Sequence, residues 1–261
     1  MSSPSWSRRI LLGVLAMSFS PVLLQGSGME QTYAFFTDAV HLLASRYDTF
    51  AMVPNDPRGR VVYGSARGYL HLLEYTGTHY REIWVSPSHV TRLQKVLVAD
   101  LKGDGTYQII TYNARGSLFI YDLERFGLIW RTPETQFRSI EALTVADVDN
   151  DRQLELLFLS EGRLYIYDGQ HFLEEWRSDA VYQASDLAVG DVDGDGQKEI
   201  VLGSGQVLDA RFRTLEWENT LPFGDHLELA DVDGDGKLEV IAGANQAVTI
   251  WDIDQRREKW D

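Results

Sequence analysis

Four carboxylates within nine residues are the densest chemistry in this sequence. Asp191, Asp193, Asp195 and Glu199 stand at positions 1, 3, 5 and 9 of one short stretch, with Gly194 and Gly196 at positions 4 and 6. Asp231, Asp233, Asp235 and Glu239 repeat the pattern around Gly234 and Gly236. Groups so close repel one another when all are ionised. A divalent cation removes the conflict. Ca2+ takes about six to eight oxygens at roughly 2.3–2.6 Å, and a loop that turns back on itself aims oxygens 1, 3 and 5 at one point. The glycines supply the positive φ that such a wrap needs. The backbone carbonyls of Gln197 and Lys237, at position 7, are expected to add a ligand each.

Three further stretches repeat the loop with losses. Asp147, Asp149, Asp151 and Glu155 keep all four acids, with Gln153 at position 7, but Asn150 and Arg152 replace the glycines. Arg accepts positive φ poorly, so a looser wrap is expected there. In the stretch 100–108, Lys102 takes position 3 and Gln108 position 9, which predicts weak binding or none. In 52–60 only Asp56 survives, which reads as the same turn without a metal. The expectation is two to three Ca2+ sites. An EF-hand is excluded, because that loop needs a bidentate Glu at position 12 and helices on both sides. Position 12 is Leu202 in one copy and Ala242 in the other, and the flanks are short β-type runs. The bland alternative is that acidic turns only keep a connector soluble.

The elements that must position these loops recur with them. Loop starts at Met52, Asp100, Asp147, Asp191 and Asp231 give a period of 40 to 48 residues, the range of propellers and solenoids. Each unit has one apolar strand entering the loop, such as 143–146, and one leaving it, such as 155–158. A turn follows, at Arg67–Gly68, Arg115–Gly116, Glu161–Gly162, Gly203–Gly205 and Asn245–Gln246. A third, alternating strand and a fourth ending on Trp84, Trp130, Trp176, Trp217 or Trp260 complete the unit. Four strands closed by an aromatic describe a blade, and a series of blades protects strand edges. The tryptophans are expected as wedges between blades, and Tyr121, Tyr167 and Trp251 to pack against the next blade. Glu174 and Glu175 read as a turn before Trp176.

The acidic loop, with Phe223–Gly224 before it and Ala242–Gly243–Ala244 after it, resembles the FG-GAP/VCBS repeat of integrin-α-type β-propellers. The resemblance covers about 48–261 and is strongest over 140–261. It implies Ca2+ bound between the first two strands of a blade, and a binding or scaffolding role, usually at a cell surface. Propellers of that family commonly have seven blades; five are legible here. The expected fold is all-β: a β-propeller of about five four-stranded blades, closed on itself or an open arc that a partner completes.

The 261-residue chain carries a net charge of −15, which disfavours a nucleic-acid partner, and it has no cysteine. Residues 1–28 read as a signal peptide or signal anchor: Arg8 and Arg9 precede an apolar run from Ile10 to Phe19. Ser7, Arg8, Arg9 and Leu11 also resemble a twin-arginine export signal. Residues 29–47 form an N-terminal segment, helix or closing strand, before the propeller at 48–261. The expected localisation is exported: periplasmic, extracellular or at the cell surface. The expected function is a non-enzymatic, Ca2+-binding scaffold for a protein or glycan partner, touching membrane only through an uncleaved signal. The alternatives are a polysaccharide hydrolase or lyase, which needs two carboxylates about 5–9.5 Å apart, and an anchored subunit of an envelope complex. No nucleophile, phosphate-loop or zinc motif stands in the chain; His226 beside Asp225 is the one histidine placed near a loop.

Overall fold

A computed structural model describes residues 49–244 and 247–260, with only the backbone given at Trp260. The expected leader 1–28, the segment 29–47 and the turn at Asn245–Gln246 lie outside these described residues. Among the described residues, twenty strands make five four-stranded antiparallel sheets, each a simple meander.

Blade 1 holds β1 (Phe50–Met52), β2 (Val61–Gly64), β3 (Leu70–Tyr75) and β4 (Tyr80–Val85). Blade 2 holds β5 (Leu93–Ala99), β6 (Gln108–Asn113), β7 (Leu118–Asp122) and β8 (Leu128–Arg131). Blade 3 holds β9 (Ala142–Ala146), β10 (Glu155–Ser160), β11 (Arg163–Tyr167) and β12 (Glu174–Arg177). Blade 4 holds β13 (Leu187–Gly190), β14 (Glu199–Leu202), β15 (Gln206–Asp209) and β16 (Leu215–Glu218). Blade 5 holds β17 (His226–Ala230), β18 (Glu239–Ala244), β19 (Ala247–Asp252) and β20 (Arg257–Trp260).

The first strands of successive blades are neighbours, β1 to β5, β5 to β9, β9 to β13 and β13 to β17, so they form the inner layer of a β-propeller. The core lies between blades. On β10, Leu156 and Phe158 face the cluster shared with blade 2, while Leu157 and Leu159 face the one shared with blade 4. A strand buried on both faces must be apolar at every position, which the Leu-Leu-Phe-Leu run of β10 satisfies. Trp84, Trp130, Trp176 and Trp217 act as the expected wedges. Trp84 meets Tyr121 and Phe126 of blade 2, with ring centroids 5.5 and 5.7 Å away. Trp130 meets Phe172 of blade 3 at 5.3 Å, and Trp217 meets Phe223 at 5.7 Å. Tyr121, Tyr167 and Trp251 differ from expectation. They pack back toward the preceding blade, because alternation along the third strand puts them on the face opposite Ile120, Ile166 and Ile250.

One irregularity recurs in every blade. The pairing of the third strand with the fourth slips by one residue just before the tryptophan. The extra, unpaired residue is Ile83, Ile129, Glu175, Glu216 or Lys259. A β-bulge of this kind re-aims the side chain it carries. Glu174 and Glu175 therefore lie on β12, not in the turn expected for them.

Candidate metal sites

Each acidic loop joins the first two strands of a blade and is wrapped around its own first carboxylate. Asp191 accepts the Gly194 N–H at 2.8 Å and the Gly196 N–H at 3.0 Å. Asp231 accepts those of Gly234 and Gly236 at 2.7 and 3.1 Å. Asp147 accepts those of Asn150 at 2.7 Å and Arg152 at 3.2 Å. The looser wrap expected in blade 3 is not found. Asn150 and Arg152 take φ of +66° and +74°, close to the +80° and +88° of Gly194 and Gly196, because the same pair of hydrogen bonds holds them there.

The rest of each loop is fixed by its other acids. Position 9 is buried: Glu155 is 4%, Glu199 1% and Glu239 2% exposed. One oxygen of each accepts the N–H of position 2, from Val148 at 2.8 Å and from Val192 and Val232 at 2.9 Å. This strap ties the loop's base. Three groups of carboxylate oxygens result, each within 4.8 Å of one another: Asp147, Asp149 and Glu155; Asp191, Asp193 and Glu199; Asp231, Asp233 and Glu239. Asp151, Asp195 and Asp235 stand outside these groups. Each accepts the N–H two residues on, from Gln153, Gln197 and Lys237, at 2.7, 2.7 and 2.9 Å.

Burying a carboxylate among carboxylates has a price in ionisation. Burial pushes Glu155 up to about 7 and Glu199 up to about 8, and the neighbouring Asp149 and Asp193 push the same way against the valine N–H bonds. The bulge residues add to this in two blades. Burial raises Glu175, with Asp168 and Asp149 adding to it, and burial raises Glu216, with Asp209 and Asp193 adding to it. A turn of the following blade brings a guanidinium to each. Arg213 lies in the field of Glu175, Glu155 and Asp149, and its Nη1 is buried without a hydrogen-bond partner. Arg256 lines a cavity of about 190 Å³ together with Asp193, Glu199, Glu216 and Trp217. All the donors are hard oxygens, the set that suits a hard divalent cation. Each of the three clusters can hold a metal ion.

The two degenerate loops keep the wrap by other means. In blade 2, Gly103 and Gly105 have positive φ, and Asp100 accepts the Gly105 N–H at 2.7 Å. Gln108 takes the strap, accepting the Leu101 N–H at 2.9 Å and donating to the Thr106 carbonyl at 3.0 Å. In blade 1, position 9 is Arg60, which donates to Asp56 at 2.6 Å and pairs with Glu124 of blade 2 at 2.7 Å.

The FG-GAP-like repeat family matches residues 147–202, from the first acid of one loop to the end of β14. Residues 147–202 are thus an FG-GAP-like repeat. No curated protein matches in sequence. Among solved structures, the Vibrio cholerae biofilm matrix protein Bap1 is similar at TM-score 0.56 and 18% identity, over 81% of this chain and 38% of that one. The computationally designed Ika8 protein is similar at TM-score 0.55 and 13% identity, over 80% of this chain and 60% of that one. BBS1N, crystallised in complex with ARL6DN and soaked with lead, is similar at TM-score 0.58 and 15% identity, over 82% and 67%. This chain thus spans from 38% to 67% of these neighbours' lengths. At such identity the likeness is one of fold.

Every acidic loop was legible in the sequence; what faces it was not. Glu175, Glu216 and Lys259 are separated from the loops by some twenty residues. Aligning the five residues that precede the tryptophans would have shown the column Ile83, Ile129, Glu175, Glu216 and Lys259. Arg213 and Arg256 belong to the next blade and carried no such signal. His226 begins β17 and is exposed.

Proposed function

We propose that this chain is an exported, non-enzymatic, Ca2+-binding β-propeller that serves as an interaction scaffold for a protein or glycan partner. The observation that carries the reading is the repetition of the carboxylate cluster at one point of three successive blades. A catalytic acid pair is needed once. A set rebuilt blade after blade, each time strapped by a buried Glu to the loop's own backbone, suits a structural ion that staples the turn. The metal supplies charge neutralisation there. The chain's own residues aim the oxygens and bury the ninth-position carboxylate.

The scaffold part rests on the FG-GAP match and on the fold's neighbours, among them a biofilm matrix protein and a protein crystallised in complex with another. Export rests on Arg8, Arg9 and the apolar run that follows. Tb3+ tests the metal directly, because Trp217 lines the same cavity as Asp193 and Glu199. Excitation of tryptophan should give sensitised Tb3+ emission that Ca2+ displaces. Emission absent, or unaffected by Ca2+, would refute the site. Crosslinking in intact cells, followed by capture of the full chain from the envelope fraction, tests location and partner together. Recovery of the chain from the cytosol alone would refute export.

A further inference from the structure

The three acidic loops are alike along the sequence and unlike in what the bulge aims at them. In blades 3 and 4 the bulge residue is Glu175 or Glu216, a further acid beside the cluster. In blade 5 it is Lys259. Its Nζ donates to Asp233 at 2.5 Å and to Glu239 at 3.0 Å, and lies 3.6 Å from Asp252. The Lys259 side chain is 12% exposed. Its ammonium therefore sits among the oxygens that a divalent cation would need, and it takes the Glu239 oxygen left over from the strap to Val232. Resting on the Ca2+ reading above, we propose that Lys259 is the resident cation of the fifth loop, so that only the clusters of blades 3 and 4 take up Ca2+ from solution.

The charges agree with this assignment. To enter blade 5 a metal must first expel a covalently tethered ammonium and break two charge-assisted hydrogen bonds. In blades 3 and 4 the opposing guanidiniums, Arg213 and Arg256, come from a neighbouring blade's turn, and neither donates a hydrogen bond to the loop acids among the described residues. Blade 1 shows the same device from a different position: the cationic Arg60 stands at position 9 and pairs with Asp56. Replacing the ion by a side chain is thus already in use at one end of the blade series, and Lys259 repeats it at the other.

Equilibrium dialysis of the full chain against Ca2+ decides the matter by stoichiometry. The wild type should bind two ions, and Lys259→Met three. Lys259→Glu, which copies Glu175 and Glu216, is the second variant if the first fails to fold. On the wild-type background, Asp233→Asn should leave the count at two and Asp193→Asn should lower it to one. Three ions in the wild type, two in both Lys259 variants, or a count that Asp233→Asn lowers would overturn the inference while leaving the Ca2+ reading intact. No ion bound by the wild type or by either Lys259 variant would overturn the Ca2+ reading, and the inference with it.

Discussion

Arg152 shows how strictly the loop's shape is imposed. It holds φ at +74° where the matching loops have Gly196 and Gly236, and its N–H goes to Asp147. A non-glycine residue in this region is disfavoured by about 1–2 kcal/mol. Arg152→Gly should therefore raise stability by roughly 1 kcal/mol, read as a higher urea midpoint with an unchanged slope; a lower midpoint would contradict the strain. Glu199 gives a second test. Gln108 already performs its strapping role in blade 2, so Glu199→Gln should fold, keep the strap and lose Ca2+ binding at that loop.

The titration of Glu155 and Glu199 gives a pH dependence of definite sign. Their folded pKa values, about 7 and about 8, lie above the ordinary value of 4.5. Between those limits the native chain holds protons that the unfolded chain has released, so stability falls as pH rises. In EDTA the urea midpoint should drop between pH 5 and pH 8.5. In saturating Ca2+ the trend should weaken or reverse, because the ion binds the ionised form and releases the protons. A midpoint in EDTA that climbs over this range would refute the buried-acid account.

At the scale of the element, the bulge is the feature that spacing along the chain could not reveal. The loops were legible because their chemistry is local: the acids at 1, 3 and 9 gather whatever lies around them, while the acid at 5 turns to the backbone two residues on. The bulge residue meets the loop only after two more strands have folded back, and its type differs in each blade. The same limit explains the inverted direction of Tyr121, Tyr167 and Trp251. Alternation says that they share a face, and only the pairing register says which. The wedges themselves were legible, since a tryptophan ending each unit has few other uses. Trp130→Ala should cost about 3–5 kcal/mol, because the ring fills the space between blades 2 and 3 against Phe172 and Tyr167. Loss below 1 kcal/mol would mean the ring is not a wedge. Gly68 tests the turn at the opposite end of a blade. With φ at +79° and the Thr91 carbonyl 2.2 Å from where a Cβ would sit, Gly68→Ala should destabilise the pairing of blade 1 with the loop that leaves it.

For the molecule as a whole, charge and fold answer each other. A net charge of −15 is concentrated in part at loops that line up along one end of successive blades. The Asp147 carbonyl accepts Lys198 of the next loop at 2.6 Å, and Lys237 lies against Gly194. The buried clusters join blade 1 to 2, 2 to 3, 3 to 4 and 4 to 5; among the described residues none joins blade 5 to blade 1. Val248 on blade 5 is 51% exposed, whereas its counterparts Leu70, Leu118 and Leu164 are fully buried. With no disulfide available, Ca2+ held in the loops, as proposed above, would staple such a series of blades. Each filled site adds about 2.7 kcal/mol when free Ca2+ is a hundred times the dissociation constant. Thermal unfolding of the full chain in EDTA and in millimolar Ca2+ puts this to the test. The account predicts a clearly higher midpoint with Ca2+, and one that Asp193→Ala reduces; identical melting curves in the two solutions would contradict it.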